Sequence, residues 1–180
     1  MTTRGQIAGG VDSINLAGSG GSNLVGFLQA GTGAVARTVQ GKERDIVSVK
    51  DFGAVGDGVT DDTAAITAAL ATGGNIIFPS GYTYLTGALT SSTVGQKIFA
   101  YGATINLKSA TNAPILTISS AGIEVYGGTW DGNKSNQIDA TGYIANGIVA
   151  TAEKCGVFDA VVQNTKGFGI GSLSVSGFIA

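Results

Sequence analysis

Apolar and polar positions along most of the chain alternate over short runs, and only one segment changes to a helical spacing. Asn75-Ile-Ile-Phe-Pro79 and Tyr82-Thr-Tyr-Leu85 are β-prone runs separated by Ser80-Gly81, a turn signal. The pattern then repeats. Ile98-Phe-Ala-Tyr-Gly-Ala-Thr-Ile105 aligns with Ile123-Glu-Val-Tyr-Gly-Gly-Thr-Trp130 at an offset of 25 (123 − 98), with Ile, Tyr, Gly and Thr coinciding. A weaker copy, Cys155-Gly-Val-Phe-Asp-Ala-Val-Val162, sets Val157 with Val125 and Phe158 with Tyr126, and Ile76 precedes Ile98 by 22 (98 − 76). The polar insertion Asn133 to Gly142 absorbs the longer third interval. Short strands recurring at this interval, with Gly and Asn at the corners, predict an all-β parallel β-helix whose coils bury their inward side chains on one another. A jelly roll or sandwich is the rival, but it has no need of the same Ile-x-x-Tyr-Gly-x-Thr string at a coil-length interval.

Helical spacing occurs within residues 46–74, read as strand, turn and capping helix. Val47, Val49 and Phe52 lie in a β-prone run that ends at Gly53 and Gly56-Asp57-Gly58, where positive φ is cheap. Thr60-Asp61-Asp62-Thr63 offers side-chain oxygens to the orphan N–H groups of a helix start, so either Thr60 or Asp61 is the expected N-cap. Ala65, Ile66, Ala69 and Leu70 then form a narrow apolar stripe over 62–70, and Gly73-Gly74 stops the helix. Such a helix would cover the open sheet edge of the first coil, a site for unwanted pairing. Residues 75–180 are read as the first coils. Strand-and-turn pattern persists to Ala180 without a polar cap, which leads us to expect about three coils and a continuation beyond this chain.

Residues 1–45 read as an extended arm. Asp12 is the only charge between Gln6 and Ala36, and glycines break the segment repeatedly, so too few large side chains are present to offset the entropy of ordering it alone. The apolar positions Leu24, Val25, Phe27, Leu28, Val35 and Val39 are candidate docking residues. A flexible Gly/Ser linker is the alternative, although linkers rarely carry so many Val, Leu and Phe. Gly41-Lys-Glu-Arg-Asp45 reads as a charged, solvated hinge.

Composition sharpens this picture. Thirty glycines in 180 residues are about 17%, against an average near 7%, which favours turns and close stacking over long helices. Charged residues make up 12% while mean hydropathy is +0.29, so association with other chains is expected. A net charge of −2 without a basic run predicts no nucleic-acid partner. No stretch approaches 18 apolar residues, and none near Met1 has a signal-peptide core, so no membrane partner is expected. The absence of histidine removes the commonest general base and most zinc sites, and Cys155 is read as a buried small residue. Asp57, Asp61 and Asp62 lack the ladder of a calcium loop, so neither metal nor cofactor is assigned.

Glycosidic cleavage needs two facing carboxyl groups. Glu124, Asp131, Asp139, Glu153 and Asp159 were weighed. Glu124 should point outward between Ile123 and Val125, and Asp131, in Trp130-Asp131-Gly132-Asn133, reads first as a turn residue. Possible sugar contacts are Trp130, as a stacking platform against the simpler reading of core, Asp131, and Asp139 in the polar insertion.

The run VSVKDFGAVGDGVTDDTAAI, from Val47 to Ile66, resembles the opening signature of the pectate-lyase-like single-stranded right-handed β-helix proteins, a group that includes polygalacturonases and many phage tailspikes. Joined to the preceding Asn23 to Gln40, it is similar to the N-terminal region of phage tailspikes and tail fibres. The resemblance implies a homotrimer on the virion tail, synthesised in the host cytoplasm. The arm would be held by a tail, baseplate or adaptor protein, and the body would serve recognition and depolymerisation of host capsular polysaccharide or lipopolysaccharide. In the resembling enzymes the catalytic acids lie on later coils, so no catalytic residue is carried over. A free bacterial lyase or hydrolase of the same fold, and a non-catalytic adhesive fibre, are the alternatives.

Overall fold

A computed structural model of the chain describes residues 16–138 and 147–172, together with 177 and 179. The backbone divides into two compact units, one ending at Asp45 and the other beginning at Ile46.

The first unit is more structured than an extended arm. It holds helix α1 (Gly21–Leu24), strands β1 (Gly26–Phe27) and β2 (Arg37–Thr38), and helix α2 (Val39–Glu43). The strands pair antiparallel, Gly26 with Thr38 and Phe27 with Arg37. Thr38 caps α2 by accepting from the Gly41 N–H, and both guanidinium nitrogens of Arg37 donate to Asp45. The charged segment expected to act as a hinge is thus a capped helix closed by an ion pair. Of the six candidate docking residues, Leu24, Val25, Leu28 and Val35 are exposed and Phe27 and Val39 half-buried.

The second unit is a parallel β-helix. Its first coil runs through β3 (Ile46–Ser48), a 3-10 turn (Val49–Phe52) and β4 (Asp57–Asp61) to helix α3 (Thr63–Leu70). Four complete coils follow among the described residues. They contribute β5 (Asn75–Ile77), β6 (Thr83–Thr86) and β7 (Leu89–Ser91); then β8 (Lys97–Phe99), β9 (Thr104–Leu107) and β10 (Leu116–Ile118). Next come β11 (Glu124–Tyr126), β12 (Thr129–Asp131) and β13 (Ile148–Ala150), and finally β14 (Gly156–Phe158), β15 (Val161–Gln163) and β16 (Ile170–Ser172). The first sheet is ordered β14-β11-β8-β5-β3, the second β15-β12-β9-β6-β4 and the third β16-β13-β10-β7. All their pairings are parallel, and parallel strand–crossover–strand connections are right-handed in nearly every case.

Stacking places like on like. Ile76, Ile98, Val125 and Val157 share an inward column of the first sheet, and Tyr84, Ile105 and Trp130 one of the second. Leu89, Leu116 and Ile148 share one of the third. All of these are buried, and burying each aliphatic side chain is worth about 1.5–3 kcal/mol.

One expected register is corrected. Ile98 faces Val125 and not Ile123, so the first sheet advances by 27 residues (125 − 98), whereas the second keeps the expected 25, with Thr104 facing Thr129 (129 − 104). The difference sits at the corner between them. Four residues, Ala100 to Ala103, turn one coil, and two glycines turn the next, Gly127 at φ 69° and Gly128 at φ 83°. A slip of two preserves the inward and outward alternation, so the gapless alignment looked sound.

The helix lies where a third-sheet strand of the first coil would be and packs on β7, burying Ile66, Ala69 and Leu70. Two other expectations are corrected. The strand stops at Ser48, because a Ser48–Asp51 capping box starts the 3-10 turn there, and Gly56-Asp57-Gly58 leads into β4 instead of a plain turn.

Candidate functional site

The outer face of the second sheet carries a groove of about 770 Å³ lined by Gly58, Leu85, Asn106, Asp131, Asn133, Lys134, Ser135 and Asn164. Its floor follows from the register. Leu85, Asn106 and Asp131 are consecutive rungs of one outward column, opposite in phase to the buried Tyr84, Ile105 and Trp130. Asp61 and Gln163 extend this column at its two ends.

The wall comes from unequal corners. Two residues, Gly87 and Ala88, connect β6 to β7, and eight, 108–115, connect β9 to β10. The still longer connection after β12 opens with a 3-10 turn, Lys134–Asn136. This turn is pinned to its neighbours. The Lys134 N–H donates to the Asn164 carbonyl at 2.8 Å, and the Asn136 carbonyl accepts from the Ala110 N–H at 2.9 Å. Gln137, buried behind it, accepts from the Asn112 N–H and donates to the Lys108 carbonyl.

Asp131 stands at the centre of the groove. Its Oδ1 accepts from the Asn133 N–H at 2.8 Å, and its Oδ2 from the side-chain amides of Gln163 at 2.9 Å and Asn164 at 2.6 Å. The turn role expected for it is therefore present, joined to a clamp on the next coil and a place in the groove. Trp130 is no platform: it is wholly buried, donates its indole N–H to the Gly127 carbonyl and meets Phe78 edge-on at 6.1 Å. Period-two alternation sends adjacent side chains to opposite faces, so only one of Trp130 and Asp131 reaches the groove. Asp139 lies outside the described residues.

The cap residues are also redistributed. Thr60 belongs to β4 and bonds to Asp57, not to the helix. Asp61 does reach the helix start, accepting from the Thr63 N–H at 3.1 Å and from the Thr63 hydroxyl. It also pairs with Lys108 at 2.6 Å, and these bonds, led by that from Lys108, hold its carboxyl down to about 2. The residue immediately before the helix is Asp62, which sequence reasoning passed over. Its buried carboxylate turns away from the helix and accepts from the N–H groups of Val55 at 2.7 Å and Gly56 at 3.0 Å.

The first sheet bears a second ladder outside. Phe99, Tyr126 and Phe158 stack face to face with centroids 5.3 and 5.2 Å apart. Beside them Glu124, outward as expected, binds Lys97 and accepts from the Tyr126 hydroxyl, and its pKa is lowered by Lys97 first and Tyr126 second. Neither this cluster nor the groove gathers three or more metal-ligating side chains among the described residues. No described helix is long and apolar enough to cross a membrane.

A family model described as rhamnogalacturonase A/epimerase, pectate lyase-like, matches residues 46–166, the whole stretch that carries the coils and the groove. The chain belongs to this family. Within the pectate-lyase-like family, it is 48% identical over 56 residues to a tail spike protein of an Escherichia phage, covering 31% of this chain and 7% of that protein. It is 31% identical over 110 residues to the tail spike protein of Shigella phage Sf6, covering 55% of this chain and 18% of that one. A mutant tailspike protein of E. coli bacteriophage HK620, solved in complex with a hexasaccharide, superposes with a TM-score of 0.63 at 16% identity. That match covers 84% of this chain and 32% of the solved one, and at such identity it speaks for the fold. The alignments thus span less than a fifth of either tail spike's length.

Proposed function

We propose that this pectate-lyase-like chain is part of a phage tailspike, whose β-helix recognises host surface polysaccharide and whose first unit holds the spike to the virion. The observation that carries the glycan reading is the groove itself: a polar column of Asn106 and Asp131, flanked by Asn133, Ser135 and Asn164, above an apolar step at Leu85. Amides, hydroxyls and a carboxylate beside a C–H-complementary surface are the groups that bind a polyhydroxylated ligand. The relatives named tail spike proteins support the virion reading, and the exposed Leu24, Val25, Leu28 and Val35 support attachment through the first unit.

Association as a trimer would bury part of the apolar surplus noted in the composition. Mass by light scattering tests this: a trimeric mass is expected, and a monomer counts against it. Immobilised polysaccharide from a panel of host strains should bind the chain saturably, and Asn106→Ala with Asn164→Ala should abolish binding. Saturation on none of them would overturn the glycan reading. Phage tails lacking spikes should take up the chain but not a variant with Leu28→Asp and Val35→Asp, while sugar binding stays intact in both.

Cleavage is assigned to no residue here. Asp131 is the only carboxylate among the described groove-lining residues, whereas glycoside hydrolysis uses a facing pair. The full-length protein should therefore be the species assayed for new reducing ends or unsaturated products. A free polysaccharide-modifying enzyme is the second reading, favoured by the family's rhamnogalacturonase and epimerase members.

A further inference from the structure

We propose that the groove takes an acidic glycan, with the Lys134 ammonium as the seat of the sugar's carboxylate. This rests on the reading of the groove as a glycan site and specifies what it selects. Two of the lining residues are charged, Asp131 and Lys134, and their situations differ. Asp131 has three N–H donors from the protein, so its charge is answered from within. Lys134 is exposed, and its ammonium meets no acceptor among the described residues, whereas nearby Lys108 is spent on Asp61.

Backbone anchoring makes Lys134 more than a solvated surface lysine. Its own N–H bonds to the Asn164 carbonyl, and the turn it opens is tied back through the Asn136 carbonyl to the Ala110 N–H and the Ser109 hydroxyl. Placing the ammonium therefore costs side-chain entropy alone. Beside it the Asn106 amide and the Ser135 hydroxyl also lack protein partners among the described residues, and Leu85 with Gly58 offers an apolar step. A free cation, an amide and a hydroxyl over an apolar step fit a carboxylated sugar ring. A neutral ring would leave the ammonium to water and gain nothing from it.

The test uses the chain with hexuronate and sialate oligosaccharides, each beside its carboxyl-reduced counterpart, followed by titration calorimetry and by amide shifts in the groove. The carboxylated member of a pair should bind about tenfold more tightly, the worth of one charge-assisted hydrogen bond, and should weaken as salt rises. Lys134→Gln should erase that difference while leaving the reduced oligosaccharide unaffected, and Lys134→Arg should restore most of it. Equal affinity within every pair, or indifference to Lys134→Gln, would overturn the acidic preference while groove shifts with reduced sugars keep the glycan site. Absence of groove shifts with every oligosaccharide would overturn both.

Discussion

At the scale of single residues, two adjacent aspartates with the same side chain do different work. Asp61 faces out and joins helix start to second sheet through Thr63 and Lys108, whereas Asp62 faces in and holds the Ala54 to Gly56 turn by two backbone N–H groups. Their separation follows from strand geometry, which sends neighbours to opposite sides just before the helix begins. The Asp61 carboxyl titrates near 2 when folded, below its ordinary 3.8, so it contributes stability above about pH 4 that is lost as pH falls through 2. Asp61→Ala should lower stability at neutral pH by about 1 kcal/mol, chiefly as a lost cap, since solvent screens the half-exposed ion pair. Thermal melts of both proteins from pH 7 to pH 2 check this, and the gap between them should narrow below pH 4. Thr60→Ala, which touches only Asp57, should not reproduce the loss.

At the scale of elements, corners decide register. Gly128 takes φ 83°, and a Cβ there would stand 2.8 Å from the Ala100 Cβ and 3.1 Å from the Ala100 carbonyl oxygen. Gly95 takes φ 72° with nothing within 4 Å of such a Cβ. Each Gly→Ala pays the left-handed penalty of about 1–2 kcal/mol, but only Gly128→Ala adds a collision with the coil below. Urea titrations should therefore show Gly128→Ala losing more than Gly95→Ala by at least about 1 kcal/mol. Equal losses would mean that the two-glycine corner has room to spare. These corners also explain how far the sequence was legible. The columns of Ile105 with Trp130 and Val125 with Val157 were visible as repeats, because the connections between those positions hold no hidden slip. Ile98 was misaligned because glycine-rich corners can shorten by two residues without disturbing the apolar alternation.

At the scale of the whole molecule, the coils and the first unit rest on different amounts of buried surface. Every inward column of the coils is closed at the front by Ile66, Ala69 and Leu70 of the helix, and Gln96 bonds the Leu70 and Gly74 carbonyls to the second complete coil. In the first unit Gly21 is the one buried residue among those described. The single tryptophan, Trp130, sits deep in this stack with Phe78 and reports on it. Its emission should be blue-shifted, resist acrylamide and stay unchanged when an oligosaccharide fills the groove, then shift red in one step when the coils unfold. A sugar-dependent change in Trp130 emission would restore the platform reading that its burial removes.

Pattern and composition alone determined the parallel coils, the capping helix and its apolar stripe, and the outward or turn character of Glu124 and Asp131. These depend on local alternation and turn chemistry, which are written in neighbouring residues. The folded chain alone decided which rungs meet across unequal corners, that Trp130 is interior while Asp131 faces a groove, and that Asp62 turns inward. It also brought Lys134, Asn106 and Asn164 to one groove from three separate coils. Those outcomes depend on the length of the path between coils and on which face each strand turns to the core, and both are settled only when the coils stack.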